Sequence, residues 1–131
     1  MSKELARATL VACRTRGEKI VTAESCTGGM VSAALTAIAG SSDVVERGFV
    51  TYSNEAKMQM LGVRDATLKE FGAVSEDVAA EMAAGALQHA RYSCDAYRDV
   101  RLSVLQCPHS HFGGHVFGHR TKFFERCGTN A

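Results

Sequence analysis

The chain has 131 residues, enough for one compact domain and too few for two of ordinary size. Hydrophobic residues make up 46% and charged residues 22%, a balance that excludes disorder throughout. The formal net charge of +1 supplies no global field toward nucleic acid or a membrane. No apolar run reaches the roughly 18 residues needed to span a bilayer. Met1-Ser2-Lys3-Glu4 has no charged-then-apolar secretion signal, so a soluble cytoplasmic protein is expected. In that compartment Cys13, Cys26, Cys94, Cys107 and Cys127 are expected to be free thiols.

Leu5, Ala8 and Ala12 recur at three- and four-residue spacing, which predicts a helix over Ser2 to Arg16 closed by Gly17. Lys19-Ile20-Val21-Thr22-Ala23 is a β-branched run and reads as a buried strand. Gly28 to Ala39 is expected as a helix that stops at Gly40, and Val44 to Tyr52 as a second strand. Short helices are expected over Asn54 to Leu61, capped by Ser53 or Asn54, and over Thr67 to Phe71. Ser75-Glu76-Asp77 caps a stronger helix to about Ala90, with Val78, Met82 and Leu87 on its apolar side. This order predicts an α/β fold, a three-layer α/β/α domain.

The chemistry concentrates in Thr22-Ala23-Glu24-Ser25-Cys26-Thr27-Gly28-Gly29, where a strand hands over to a helix. The first N–H groups of a helix lack internal partners and, with the helix dipole, favour an anion or a developing oxyanion. Gly28 and Gly29 would let a ligand approach the backbone, and a nucleophile at Ser25 would stand just ahead of those donors. The plainer alternative is that Ser25 or Thr27 only caps the helix. No histidine lies between residues 1 and 88, so a base for Ser25 would be His89, a tail histidine or a lysine. Lys57 follows the strand ending in Thr51-Tyr52-Ser53-Asn54, and consecutive parallel strands open on one edge of a sheet, where Tyr52 and Lys57 could face Ser25. Otherwise Lys57 is a solvated helix lysine and Tyr52 a half-buried strand aromatic.

Four segments in order carry a resemblance: Ala23-Glu24-Ser25-Cys26-Thr27-Gly28-Gly29; Ile38-Ala39-Gly40-Ser41-Ser42; Gly48-Phe49-Val50-Thr51-Tyr52-Ser53-Asn54-Glu55-Ala56-Lys57; and Gly72-Ala73-Val74-Ser75. Together they resemble the CinA C-terminal family. Its standalone members are amidohydrolases that convert nicotinamide mononucleotide to nicotinate mononucleotide and ammonia. The resemblance implies Ser25 as nucleophile, Lys57 as general base and Tyr52 as helper. In the mechanism that follows, the backbone N–H groups around Thr27, Gly28 and Gly29 are expected to bind substrate, holding either the oxyanion or the phosphate. No metal and no organic cofactor is implied. The partner is a small-molecule nucleotide, with no nucleic acid and no membrane, and a homo-oligomer stays open.

Residues 1–92 are thus expected to be the N-terminal portion of a CinA-like amidohydrolase domain, and 93–131 an aberrant tail. Family members continue with a strand, a Gly-Ile-Ala-Gly-Pro loop and a Pro-Val-Gly-Thr-Val strand. This chain reads Ser93-Cys94-Asp95-Ala96-Tyr97-Arg98 and onward without either motif. Cys107, His109, His111, His115 and His119 are ligand types that suit zinc, but their spacing is not a paired-ligand pattern. A shifted reading frame is the favoured account. Ser103-Val104-Leu105-Gln106 can be encoded so that another frame reads Gly-Ile-Ala, and Gly114-His115-Val116 so that one reads Gly-Thr. The offsets differ, so more than one insertion or deletion would be needed, and a genuinely divergent tail is the alternative. On the frame-shift account, residues after 93 are not selected to fold and should be poorly ordered. Two functions compete with the amidohydrolase: a non-catalytic nucleotide-binding module, and a competence- or damage-related protein, although no basic stripe supports DNA binding.

Overall fold

The computed structural model describes residues 1–93 and 100–105. Helix α1 (Lys3–Arg16) starts where the Ser2 hydroxyl accepts the Leu5 N–H and ends at Gly17 in a left-handed cap. Strand β1 (Lys19–Glu24) extends one residue beyond the expected run and is buried from Ile20 to its end. Helix α2 (Met30–Thr36) is shorter at both ends than the predicted Gly28–Ala39. Gly28 and Gly29 have φ of 58° and 100°, a left-handed backbone that a right-handed helix cannot contain, so they form the turn ahead of it.

After a 3₁₀ turn at Ser41–Asp43 come strand β2 (Val45–Val50) and helix α3 (Asn54–Leu61). The Ser53 hydroxyl caps α3 by accepting the Ala56 N–H at 3.0 Å. Helix α4 (Asp65–Phe71) begins two residues earlier than expected. Helix α5 (Glu76–Ser93) follows, with the Ser75 hydroxyl accepting the Val78 N–H. Strand β3 (Val100–Leu105) falls in the segment expected to lack order; at these six residues the structure instead has a strand paired along β1. Of the proposed frame-shift motifs, Ser103-Val104-Leu105 falls within β3, while Gln106, Gly114-His115-Val116 and the residues Cys107, His109, His111 and His119 lie outside the described residues.

The sheet has strand order β2-β1-β3, and both pairings are parallel. Neighbouring β1 side chains project to opposite faces. Ile20 packs with Ala6, Leu10 and Cys13 of α1 and Val31 and Leu35 of α2. Val21 and Ala23 face the other way, into Leu61, Val63 and Leu68 and into Val78, Met82, Ala86 and Ala90 of α5. Helices α1 and α2 therefore cover one face and α3, α4 and α5 the other, giving the expected α/β class in three layers. Gly85 lets α5 seat on the end of α3, since a Cβ there would overlap the Leu61 carbonyl. Because the pairings are parallel, β1 and β2 deliver Ser25 and Thr51 to one edge of the sheet.

Candidate active site

Ser25 immediately follows β1 and is 5% exposed. Its carbonyl accepts the Gly28 N–H at 3.0 Å, which folds residues 25–28 into a tight turn. The preceding residue organises that turn. Glu24 is fully buried, and its carboxylate receives the Thr27 hydroxyl at 2.7 Å, the Gly29 N–H at 3.1 Å, the Val31 N–H at 3.0 Å, and the Ser32 N–H and hydroxyl at 2.8 and 2.9 Å. Burial alone would push this carboxyl's pKa up; the hydrogen bonds from Ser32, Val31 and Thr27 outweigh it and hold the pKa below the usual value. The anion at the N-terminus of α2 is thus the protein's own.

The N–H groups of Gly28 and Gly29, expected at a substrate, are engaged inside the protein. The Gly28 N–H is turned back to Ser25 and the Gly29 N–H is taken by Glu24. The Thr27 hydroxyl is also engaged, which leaves its main-chain N–H as the donor from that trio to consider at the site. The network reaches into the sheet. Ser32 gives its proton to Glu24, so at the 2.5 Å contact with Thr22 the Thr22 hydroxyl donates. Gly48 on β2 makes room for this pair, since a Cβ there would lie 2.5 Å from the Ser32 hydroxyl and 2.7 Å from that of Thr22. Sequence reasoning gave Glu24 no role; the signal was an acidic residue at a strand end, four positions before the Gly-Gly that leads into a helix.

Lys57 is not a solvated lysine. It lies on the α3 turn nearest the sheet edge and is 2% exposed. Its Nζ donates to the Tyr52 carbonyl at 3.3 Å. Burial lowers its pKa from the usual lysine value, opposed by the electrostatic influence of Cys26 and Glu55. The carbonyl that Lys57 meets belongs to the residue after Thr51, whose N–H donates to the Glu24 carbonyl at 2.8 Å, so Lys57 and Ser25 stand at the same edge of the sheet. Tyr52 is 74% exposed, not half-buried, because the chain leaves β2 here to enter α3, and its contact with Lys57 is through the main chain. His89, the other candidate base, is exposed on α5 and packs against Phe49 with ring centroids 5.6 Å apart. Among the described residues no group of three His, Cys, Asp or Glu side chains could hold a metal, and no helix is long and apolar enough to cross a membrane.

The sequence pattern of the CinA C-terminal domain matches residues 2–95. The chain belongs to the CinA C-terminal domain family. Nicotinamide-nucleotide amidohydrolase PncC of Escherichia coli K12 is 64% identical to it over 80 residues, 61% of this chain and 48% of that protein. The PncC of Enterobacter agglomerans is 53% identical over 93 residues, 71% of this chain and 53% of that protein. The chain therefore spans about half the length of these relatives. Among solved structures it is similar to the competence/damage inducible protein CihA of Agrobacterium tumefaciens, at TM-score 0.67 and 48% identity over 78% of this chain and 59% of that one. A CinA superfamily protein of Escherichia coli aligns at TM-score 0.69 and 36% identity, covering 78% and 55% of the two chains.

Proposed function

We propose that this chain carries the nucleophile and base of an amidohydrolase acting on the carboxamide of nicotinamide mononucleotide. The observation that carries the reading is Lys57: a nearly inaccessible amine with a depressed pKa, bonded to the Tyr52 carbonyl at the sheet edge where β1 ends in Ser25. A lysine serves as base only when neutral, and burial favours that form. The substrate comes from the relatives named nicotinamide-nucleotide amidohydrolase.

In the proposed reaction the Ser25 hydroxyl proton passes to Lys57 Nζ as Oγ bonds to the carboxamide carbon. The carbonyl electron pair moves onto oxygen, where the Thr27 N–H is the proposed donor. Collapse breaks the C–N bond, Lys57 returns the proton to the departing amine, and ammonia leaves. Water then cleaves the acyl-enzyme by the reverse proton path, giving nicotinate mononucleotide and restoring Ser25. Tyr52 is proposed to assist through its carbonyl, which fixes Lys57, with its exposed phenol free to meet substrate. The commitment of the Gly28 and Gly29 N–H groups inside the protein weighs against a purely nucleotide-binding module built on them.

We further propose that residues 1–92 are the catalytic portion and that the segment from 93 onward, which lacks both family motifs, does not complete the substrate pocket. Ammonia release from nicotinamide mononucleotide tests this in two proteins: the chain itself, and a chimera of residues 1–92 with the C-terminal half of the Escherichia coli relative. Turnover by the chimera that is lost in Ser25→Ala supports the reading; a chimera that folds and releases no ammonia contradicts it.

A further inference from the structure

Thr51 follows β2 and is completely buried, yet its hydroxyl makes no hydrogen bond among the described residues. A buried hydroxyl left without a partner is a cost that folding alone does not explain. Its position is fixed. The Thr51 N–H donates to the Glu24 carbonyl at 2.8 Å, which continues the ladder one step past the Glu24–Val50 pair and sets Thr51 beside Ser25. Phe49, two residues earlier, packs into the cluster under α3 and α5 and against His89. Alternation puts the Thr51 side chain on that same side, where Lys57 descends from α3 to bond the carbonyl of Tyr52, the next residue.

After accepting the Ser25 proton, Lys57 is an ammonium with three N–H donors. One meets the Tyr52 carbonyl and one must hand the proton onward. At 2% exposure the third has almost no water to meet. We infer that Thr51 is a positioning residue whose hydroxyl accepts this third N–H when Lys57 becomes charged during the reaction. Bonds of this kind are often open in the resting site and close as chemistry proceeds. The inference rests on the Ser25–Lys57 reading and adds a residue to it.

The test uses the full 131-residue chain and a fluorophosphonate probe, with Ser25 labelling followed by mass spectrometry from pH 6 to 11. Cys26, in the turn after β1, and Glu55, on α3, are the titratable groups that act on Lys57 and stay unchanged. Thr51→Val should slow labelling about tenfold and move the midpoint to lower pH, because the charged amine loses an acceptor. It should also melt no lower than the parent, since it removes an unpaired buried hydroxyl, whereas a purely structural threonine would show the opposite. Thr51→Ser should recover most of the rate and the parental midpoint. Unchanged labelling in Thr51→Val, or Thr51→Ser failing equally, overturns the inference. Lys57→Ala separates the two claims. If it labels like the parent, or if the parent is never labelled at Ser25, the underlying pair fails and Thr51 with it; if it is silent while Thr51→Val labels normally, only the role of Thr51 fails.

Discussion

The carboxylate of Glu24 and the main-chain N–H of Ser32 meet at 2.8 Å, tying the end of β1 to the first turn of α2 across the segment that carries Ser25. Ser25, the proposed nucleophile, is thereby held between two elements that cannot move apart without unpairing a buried charge. Replacing Glu24 by Gln keeps the shape but sets an NH₂ group among donors, and the loss is expected to be on the order of 2–3 kcal/mol. The pH dependence follows from the lowered pKa. Above the unfolded-state pKa the contribution is fully present; it is lost as pH falls through the lower folded-state value. Glu24→Gln should therefore be less stable at neutral pH and show a shallower acid limb. Chemical denaturation between pH 3 and 7 measures both, and parallel curves for the two proteins would contradict the assignment.

Gly85 offers a test of the packing beneath the site. By helix propensity, Gly85→Ala should gain about 1 kcal/mol. The overlap of the new Cβ with the Leu61 carbonyl opposes that gain, and main chain cannot swing aside as a flexible side chain would. Overpacking should win, with a net loss of about 2 kcal/mol or more and a lower melting temperature. A more stable variant would mean that α5 does not seat on α3 this closely.

Much of this fold is legible residue by residue, because its determinants are local. Ser53 and Ser75 each cap a helix from the position immediately before it, and Gly17 stops α1 where the apolar spacing ends. The start of α2 is misread because Gly28 and Gly29 look permissive of a helix, whereas they adopt positive φ. Strand β3 is hidden by the absence of the family motifs around it, although Val100–Leu105 alternates apolar and polar residues as a strand does. Ser25 and Lys57 stand out by residue type and spacing. Glu24 and Thr51 do not, since their importance comes from which hydrogen bonds they make or lack, and that depends on sheet register.

Ser25 and Cys26 are adjacent and both nucleophilic in principle, but the structure treats them differently: Ser25 is buried beside the strand end and Cys26 is exposed. In the chimera with the Escherichia coli C-terminal half, Ser25→Ala should abolish acylation with a stability change within about 1 kcal/mol. Cys26→Ser should keep most activity, although Lys57 loses a neighbour that favours its charged form. Trapping the acyl-enzyme for mass spectrometry assigns the nucleophile, and an adduct on Cys26 would reverse the roles.

The central claim is that Lys57 works as a neutral base. The most direct measurement is the pH–rate profile of ammonia release by the chimera with Lys57, Lys57→Arg and Lys57→Ala. The lowered pKa predicts that the rate rises with pH through a midpoint below the lysine reference of about 10.4. Arginine keeps the charge but cannot give up its proton in this range. Both substitutions should therefore cost on the order of a hundredfold or more, with no rescue by arginine. Near-parental turnover by Lys57→Arg would show that the amine acts only through its charge, and would contradict the Ser25–Lys57 assignment.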